Sequence, residues 1–333
     1  MFVLHSYTWA VVFCVITMFC WGSWANTQKL ARKGWRFELF YWDYTIGVLL
    51  LTLLLGLTLG SSGTDGRLFL ADLSQASHAS IHSALIGGAI FNLANILLVA
   101  AIDIAGMAVA FPVGIGLALV LGVVLNYREN PVGNATLLFA GVFFVVLAIL
   151  LDAVAYRKIP GSAAGISTKG LLLSVACGIL MGFFYRFVAA SMYPDFSRPE
   201  PGRLGPYAAV FIFAVGIFLS NFILGTFIMK KPFVGLPVSF ADYFHGSLGT
   251  HLTGILGGII WGVGMSFNII ASGRAGFAIS YGLGQGATMV AAFWGVFIWK
   301  EFRSAPKGTS TLIAAMFGCF LVGLVLIIIA RTS

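Results

Sequence analysis

Charge is scarce in this chain. Acidic residues number 11 and Lys plus Arg 19, together 9% of 333 residues. Soluble domains carry roughly 25%, so the surface of a water-soluble protein cannot be built from this composition. The formal balance of +8 is scattered through short segments and forms no nucleic-acid patch, so no nucleic-acid partner is expected. Cysteine is nearly absent. Cys14, Cys20, Cys177 and Cys319 all fall in apolar stretches, with neither a zinc spacing nor a disulfide framework, and read as small buried hydrophobes. The histidines offer no metal centre either. His78 and His82 sit four apart without a third ligand, as solvated or capping groups, and His245 and His251 have no ligand spacing. A phosphate-binding G-x-x-x-x-G-K-[ST] run is missing; "GSAAGISTKG" (161–170) has the wrong spacing. No clustered nucleophile or acid–base set supports a membrane-embedded enzyme, and no ring of charge supports a channel. The first apolar run lacks a basic lead and is too long for a cleavable signal. No cofactor is expected beyond a proton gradient.

What the chain has is hydrophobicity: 59% of its residues, with 30 Phe and 41 Gly. Apolar runs long enough to cross a ~30 Å hydrocarbon core recur throughout. They predict an all-α polytopic membrane protein with ten transmembrane helices, near 8–29, 39–60, 81–103, 105–126, 134–155, 168–191, 206–229, 248–272, 275–298 and 309–330. The longest loops are 61–80, 192–205 and 230–247, none large enough to fold alone. One face collects Lys29, Arg32, Lys33, Arg36, Arg157, Lys158, Lys169, Lys230, Lys231, Lys300, Arg303 and Lys307. The other collects Arg67, Arg128, Arg198, Arg203, Arg274 and Arg331. Basic loops favour the cytoplasm, so both termini are expected outside, in a bacterial inner (plasma) membrane.

Residues 85–120 overlay 255–290 without a gap, with ten identities in 36 positions. Among them are Gly87/Gly257, Gly88/Gly258, Gly106/Gly276, Gly114/Gly284 and Gly116/Gly286, and a two-residue shift brings "YRE" (127–129) onto "WKE" (299–301). Unrelated ordinary sequences agree at roughly a tenth of positions. The repeat divides the chain into 1–158 and 159–333. Five spans per half is odd, so the second half enters the membrane from the opposite side. Inverted repeats of this kind belong to secondary transporters, whose halves rock about a midplane site.

Polar groups at membrane depth mark the path. Spans 5 and 10 are uniformly apolar and are expected at the periphery. Asn92 and Asn95 lie three apart in span 3, either touching a neutral polar ligand or gluing helices. Tyr281 and Gln285 lie four apart in span 9, whose repeat mate, span 4, carries Phe111 and the kinking Pro112. Trp21 and Trp24 end span 1 and Trp261 sits mid-span 8, as cavity walls or, for Trp24, an interface anchor. Asp43, in "FYWDYTIG", is either a proton-carrying carboxylate or a helix-start acid, stabilised by the helix dipole or paired with the basic first loop. Arg186, near the end of span 6, either snorkels or contacts substrate.

These stretches together, "CWGSWANTQKLARKG", "YWDY", "NLANILLVAAIDIAGMAVAFPVGIGLALVLGVVLNY" and "AGFAISYGLGQGATMVAAFWGVFIWKEFRSA", resemble the ureide permease family and its bacterial relatives. Those are grouped with the glucose/ribose porters and the rhamnose–proton symporter in the drug/metabolite transporter superfamily. The resemblance implies ten helices in two inverted five-helix halves, with the cavity among spans 1–4 and 6–9. It also implies uptake of ureides such as allantoin, nucleobases such as uracil, or sugars, with Asp43 matching the family's second-span acid. The plant members' long central loop, with its nucleotide-like motif, is missing. The leading expectation is a proton-coupled importer of a small neutral polar metabolite that uses Asn92, Asn95, Tyr281, Gln285, Trp21, Trp24, Trp261, Phe111 and Arg186 for substrate and Asp43 for the proton. The rivals are an exporter of amphipathic compounds and the membrane-embedded enzyme.

Overall fold

A computed structural model describes residues 1–31, 33–160 and 167–332. Arg32 and the glycine- and serine-rich stretch 161–166 fall outside the described residues. Among the described residues ten helices are long and apolar enough to span a membrane: α1 (Tyr7–Leu30), α2 (Phe37–Ser61), α3 (His78–Ala105), α4 (Phe111–Glu129), α5 (Ala135–Arg157), α6 (Thr168–Ser191), α7 (Pro206–Lys230), α8 (Leu248–Ala275), α9 (Phe277–Ile298) and α10 (Thr309–Ile329). No strand occurs among the described residues apart from an isolated bridge between Met192 and Leu204. That is what a bilayer demands of a bundle, since a helix satisfies its own backbone. Leu54, Phe143, Ile223 and Leu321 point outward, each more than half exposed, as side chains facing lipid do.

Glycine lets the helices approach closely enough to pack. A Cβ on Gly88 of α3 would overlap the Phe213 carbonyl of α7, and one on Gly258 of α8 would overlap the Tyr44 carbonyl of α2. Gly216 of α7 meets the Leu85 carbonyl just as Gly47 of α2 meets that of Ile255. The contact of α3 with α7 is thus repeated, residue for equivalent residue, between α8 and α2. α5 and α10 pack against each other, each glycine of the pair Gly141/Gly323 leaving 2.7 Å to the other's carbonyl for a Cβ. α3 ends at Gly106 (φ 75, ψ 164) and α8 at Gly276 (φ 84, ψ 150), a left-handed conformation that glycine adopts without the usual steric cost.

Four of the described spans are not plain α-helices, α2 only in its closing 3-10 turn over Leu59–Ser61. α1 tightens into a 3-10 stretch from Trp24 to Leu30. α4 opens with a π turn over Phe111–Ile115, where Pro112 supplies no N–H. α9 breaks at Gln285 between the helical pieces Phe277–Gly284 and Ala287–Phe293. Irregular backbone at membrane depth is tolerated where it lines a cavity.

The two faces of the bundle differ. On the face that holds both termini, here the terminal face, the Met1 ammonium donates to Asp65 O and Tyr207 Oη to Phe2 O. Asp72 joins the loop before α3 to the start of α7, accepting from Gly205 N at 2.6 Å and Arg67 Nη1 at 3.0 Å. Burial raises the Asp72 carboxyl above its ordinary value, with those donors opposing. The opposite, basic face carries Lys29, Lys33 and Arg36. There Arg36 reaches the carbonyls of Val234 and Leu236.

Candidate functional site

A cavity of about 210 Å³ lies between α1, α3, α4, α6, α8 and α9, with the first residue of α2 at its edge. Its walls include Gln28, Phe37 and Ile102, which end or begin their helices at the basic face, while Trp261 and Met181 lie deeper. The chamber therefore sits on the basic side, and the terminal face is sealed over it.

The wall is aromatic and uncharged. Trp21, Trp24, Phe37, Phe91, Phe111, Phe184 and Trp261 supply rings, and among the described residues no Asp, Glu, Lys or Arg lines it. Trp21 stacks on Trp261 with centroids 6.0 Å apart and planes at 13°. Trp261 in turn lies 4.4 Å from Phe91. Trp24 packs on Tyr44 at 4.7 Å, and Gly284 clears the space that the far edge of the Trp21 indole occupies.

Polar groups punctuate this wall at Asn95, Gln28, Gln285 and Thr288. Asn95 Nδ2 donates to Tyr41 Oη at 3.2 Å, which aims the amide. The Gln285 amide has no protein partner among the described residues, and the break in α9 turns it toward the chamber. Thr288 Oγ1 closes that break by donating to Gln285 O at 2.9 Å. Trp21 Nε1 is buried against Gly264 of α8 with no acceptor among the described residues, so it is the ring face of Trp21, not its N–H, that the chamber presents.

Of the residues singled out in sequence, Asn95, Gln285, Trp21, Trp24, Trp261 and Phe111 meet on this wall; Asn92, Tyr281 and Arg186 stand elsewhere. Asn92 Nδ2 donates to Ile217 O at 3.2 Å and Ser220 Oγ at 2.8 Å, gluing α3 to α7. Three residues along a helix rotate a side chain by about 60°, enough to put Asn95 on the chamber and Asn92 in the seam. Tyr281 is fully buried, its hydroxyl donating to Ala118 O at 3.2 Å and Met181 O at 3.1 Å. The α9 break separates its direction from that of Gln285. Arg186 pairs with Glu129 at 2.5 Å across the ends of α6 and α4 on the terminal face.

Asp43 lies outside the chamber, in the contact of α2 with α8. It is 2% exposed and accepts from Tyr243 Oη at 2.6 Å. His251 Nδ1 stands 3.0 and 2.9 Å from its two oxygens. Trp35 closes edge-on over the imidazole at 5.4 Å. Among the described residues of the basic first loop, the expected alternative partner, none pairs with Asp43: Arg36 pairs with Glu38 and Lys29 with Glu301, and Arg32 lies outside the described residues. His251 and Tyr243 were not singled out as partners, because 208 and 200 residues separate them from Asp43. Gly254, whose Cβ would strike Asp43, is the local trace of that contact.

Ten apolar helices around an uncharged, amide-studded chamber define a multi-pass membrane permease. A family description of ureide permeases matches residues 40–164 and 163–330, and the chain belongs to that family. It is 24% identical to ureide permease 1 of Arabidopsis thaliana, with 97% of each chain aligned. Identity to ureide permease 4 of the same plant is 23% over 96% of each, and to a probable ureide permease A3 of Vigna unguiculata 22% over 90% of this chain and 97% of that one. These relatives are named as permeases, not enzymes. A solved crystal structure of 16% identity superposes over 98% of this chain and 99% of its own with a TM-score of 0.61, a likeness of fold.

Proposed function

We propose that this chain is a secondary active importer of a small neutral polar metabolite, with a ureide such as allantoin as the first candidate and uracil or a sugar next. The observation that carries the reading is the uncharged aromatic chamber with spare amide groups, in a chain whose relatives are named ureide permeases. A flat solute rich in N–H and C=O edges suits Asn95, Gln28 and Gln285, each offering both donor and acceptor. Its ring would lie along the Trp21 and Trp261 faces that line the chamber. A charged solute would find no counter-ion in the wall, and burying an unpaired charge is costly.

In this reading the halves 1–158 and 159–333 are inverted repeats, supported by the matched glycine contacts and the paired caps at Gly106 and Gly276. The chamber opens to each face in turn. Asp43 carries the proton. Ionised, it holds His251 and Tyr243 and so ties α2 to α8. Protonated, it loses its charge-assisted hydrogen bonds, and the tie slackens as the halves move. The basic face is placed in the cytoplasm, with both termini outside a bacterial inner membrane.

The test is uptake of labelled allantoin, uracil, xylose, ribose and glucose into proteoliposomes, with and without an inward proton gradient. Saturable uptake of a ureide that accumulates only with the gradient is the expected outcome. Uptake of none of these solutes would overturn the proposed function, and ureide uptake indifferent to the gradient would remove the proton from it.

A further inference from the structure

Behind the chamber, toward the terminal face, stands a polar septum. Tyr185, Asn268 and Ser280 are each fully buried. Tyr185 Oη donates to Asn268 Oδ1 at 2.7 Å and lies 2.8 Å from Ser280 Oγ. Asn268 Nδ2 donates to Ser280 O at 2.8 Å. Gly284 lies between Asn268 and the Trp21 ring of the chamber, since a Cβ there would meet both. On the far side Phe277 packs on Tyr185 with centroids 6.5 Å apart. Phe277 also lines a second cavity of about 300 Å³ that holds Asn126, Glu129, Arg186 and Arg203 at the terminal face. The septum, with Phe277 behind it, stands between the two spaces.

The repeat gives this layer its meaning. Phe91 and Trp261 occupy equivalent positions in the halves, and both line the open chamber. Leu98, Ile102 and Phe111 also line it; their equivalents are Asn268, Ser272 and Tyr281, all buried in the septum. The residues that form a wall on one side thus have mates that form a seal on the other. The end-of-helix ion pairs follow the same exchange: Glu129–Arg186 is closed at 2.5 Å on the terminal face, while Glu301–Lys29 stands at 3.9 Å on the basic face.

We infer that Tyr185, Asn268 and Ser280 form the terminal-face half of the substrate path, sealed in this conformation and lining the chamber when it opens the other way. This rests on the alternating-access reading above. An apolar seal would have to expose hydrocarbon to water on opening. Here each hydrogen bond of the septum is exchanged for one to water or to an amide of the solute, at small net cost. The same three groups then meet the entering solute before Asn95 and Gln285 do.

The experiment uses the full chain with Cys14, Cys20, Cys177 and Cys319 replaced by Ala. Asn268→Cys, Ser280→Cys and, as a control in the α5–α10 contact, Val145→Cys are introduced singly. A membrane-impermeant maleimide is applied to the terminal face, with and without saturating allantoin. Modification at 268 or 280, slowed severalfold by allantoin, with 145 silent, is the expected result. Two results would overturn the inference: no modification at either septum position in variants that reach the membrane folded, or equal modification at all three positions. If wild-type protein carries no ureide, the functional reading falls by itself. Labelling at 268 and 280 without labelling at 145 would still identify the path, and protection would then be sought with the sugars and uracil.

Discussion

At the residue scale, the chamber distributes its work unevenly. Asn95→Ala and Gln285→Ala each remove hydrogen bonds to a neutral solute, at about 1 kcal/mol apiece. KM for ureide uptake is expected to rise roughly fivefold to tenfold in each, with folded protein unchanged on size exclusion. Asn92→Ala is the contrast. It breaks the α3–α7 tie, so it is expected to lower the unfolding temperature while leaving KM within about twofold, an interhelical hydrogen bond in a membrane being worth about 0.6 kcal/mol. Asp43→Asn keeps the shape and loses the titratable charge; it is expected to abolish gradient-driven accumulation while sparing exchange of internal for external solute. Equal accumulation by Asp43→Asn and wild type would remove Asp43 from the coupling. The sequence made the residue types visible at these positions but not their neighbours. Asn92 and Asn95 look alike as amides three apart, and only the packing of α7 decides which one is used as glue. His251 is silent in the sequence because its partner lies on another helix far along the chain.

At the scale of elements, the chain specifies contacts through what it omits. Gly88 and Gly258 place α3 and α8 directly against neighbouring carbonyls, so Gly258→Val is expected to abolish recovery of folded protein from detergent extracts. Gly116→Ala, where an added Cβ meets nothing within 4 Å, is expected to match wild type. The ten spans were readable from apolar run length within a few residues. The breaks were not. The Pro in α4 pointed to a kink and its site carries a π turn, but nothing in "SYGLGQGATM" says that α9 stops and restarts at Gln285. Gly284 and Gly286 flank the break, but the Asn268 and Trp21 side chains that fill the room beside Gly284 lie on other helices and leave no local pattern. The loop helices tell a similar story. Phe69–Gln75 and Phe240–Phe244 both precede a long central helix. In the first, Asp72 is buried and latches α7. In the second, Asp242 is exposed and caps its own helix through Ser239.

For the whole molecule, that asymmetry is the point. Two halves with matching contacts differ at their ends, the terminal face latched by Asp72, Arg186 and the buried N-terminus, and the basic face holding the chamber. Under the proposed alternating access a carrier needs two such arrangements of nearly equal energy, and the repeat would provide the second by exchanging the roles of the halves. The most direct measurement is a pair of spin-label distances in lipid nanodiscs, each spanning the two halves: one between positions 103 and 300 on the basic face and one between 62 and 190 on the terminal face. With saturating ureide at varied pH, a second population is predicted in which the first distance shortens as the second lengthens. Two single, fixed distances under every condition, or two that lengthen together, would contradict the account.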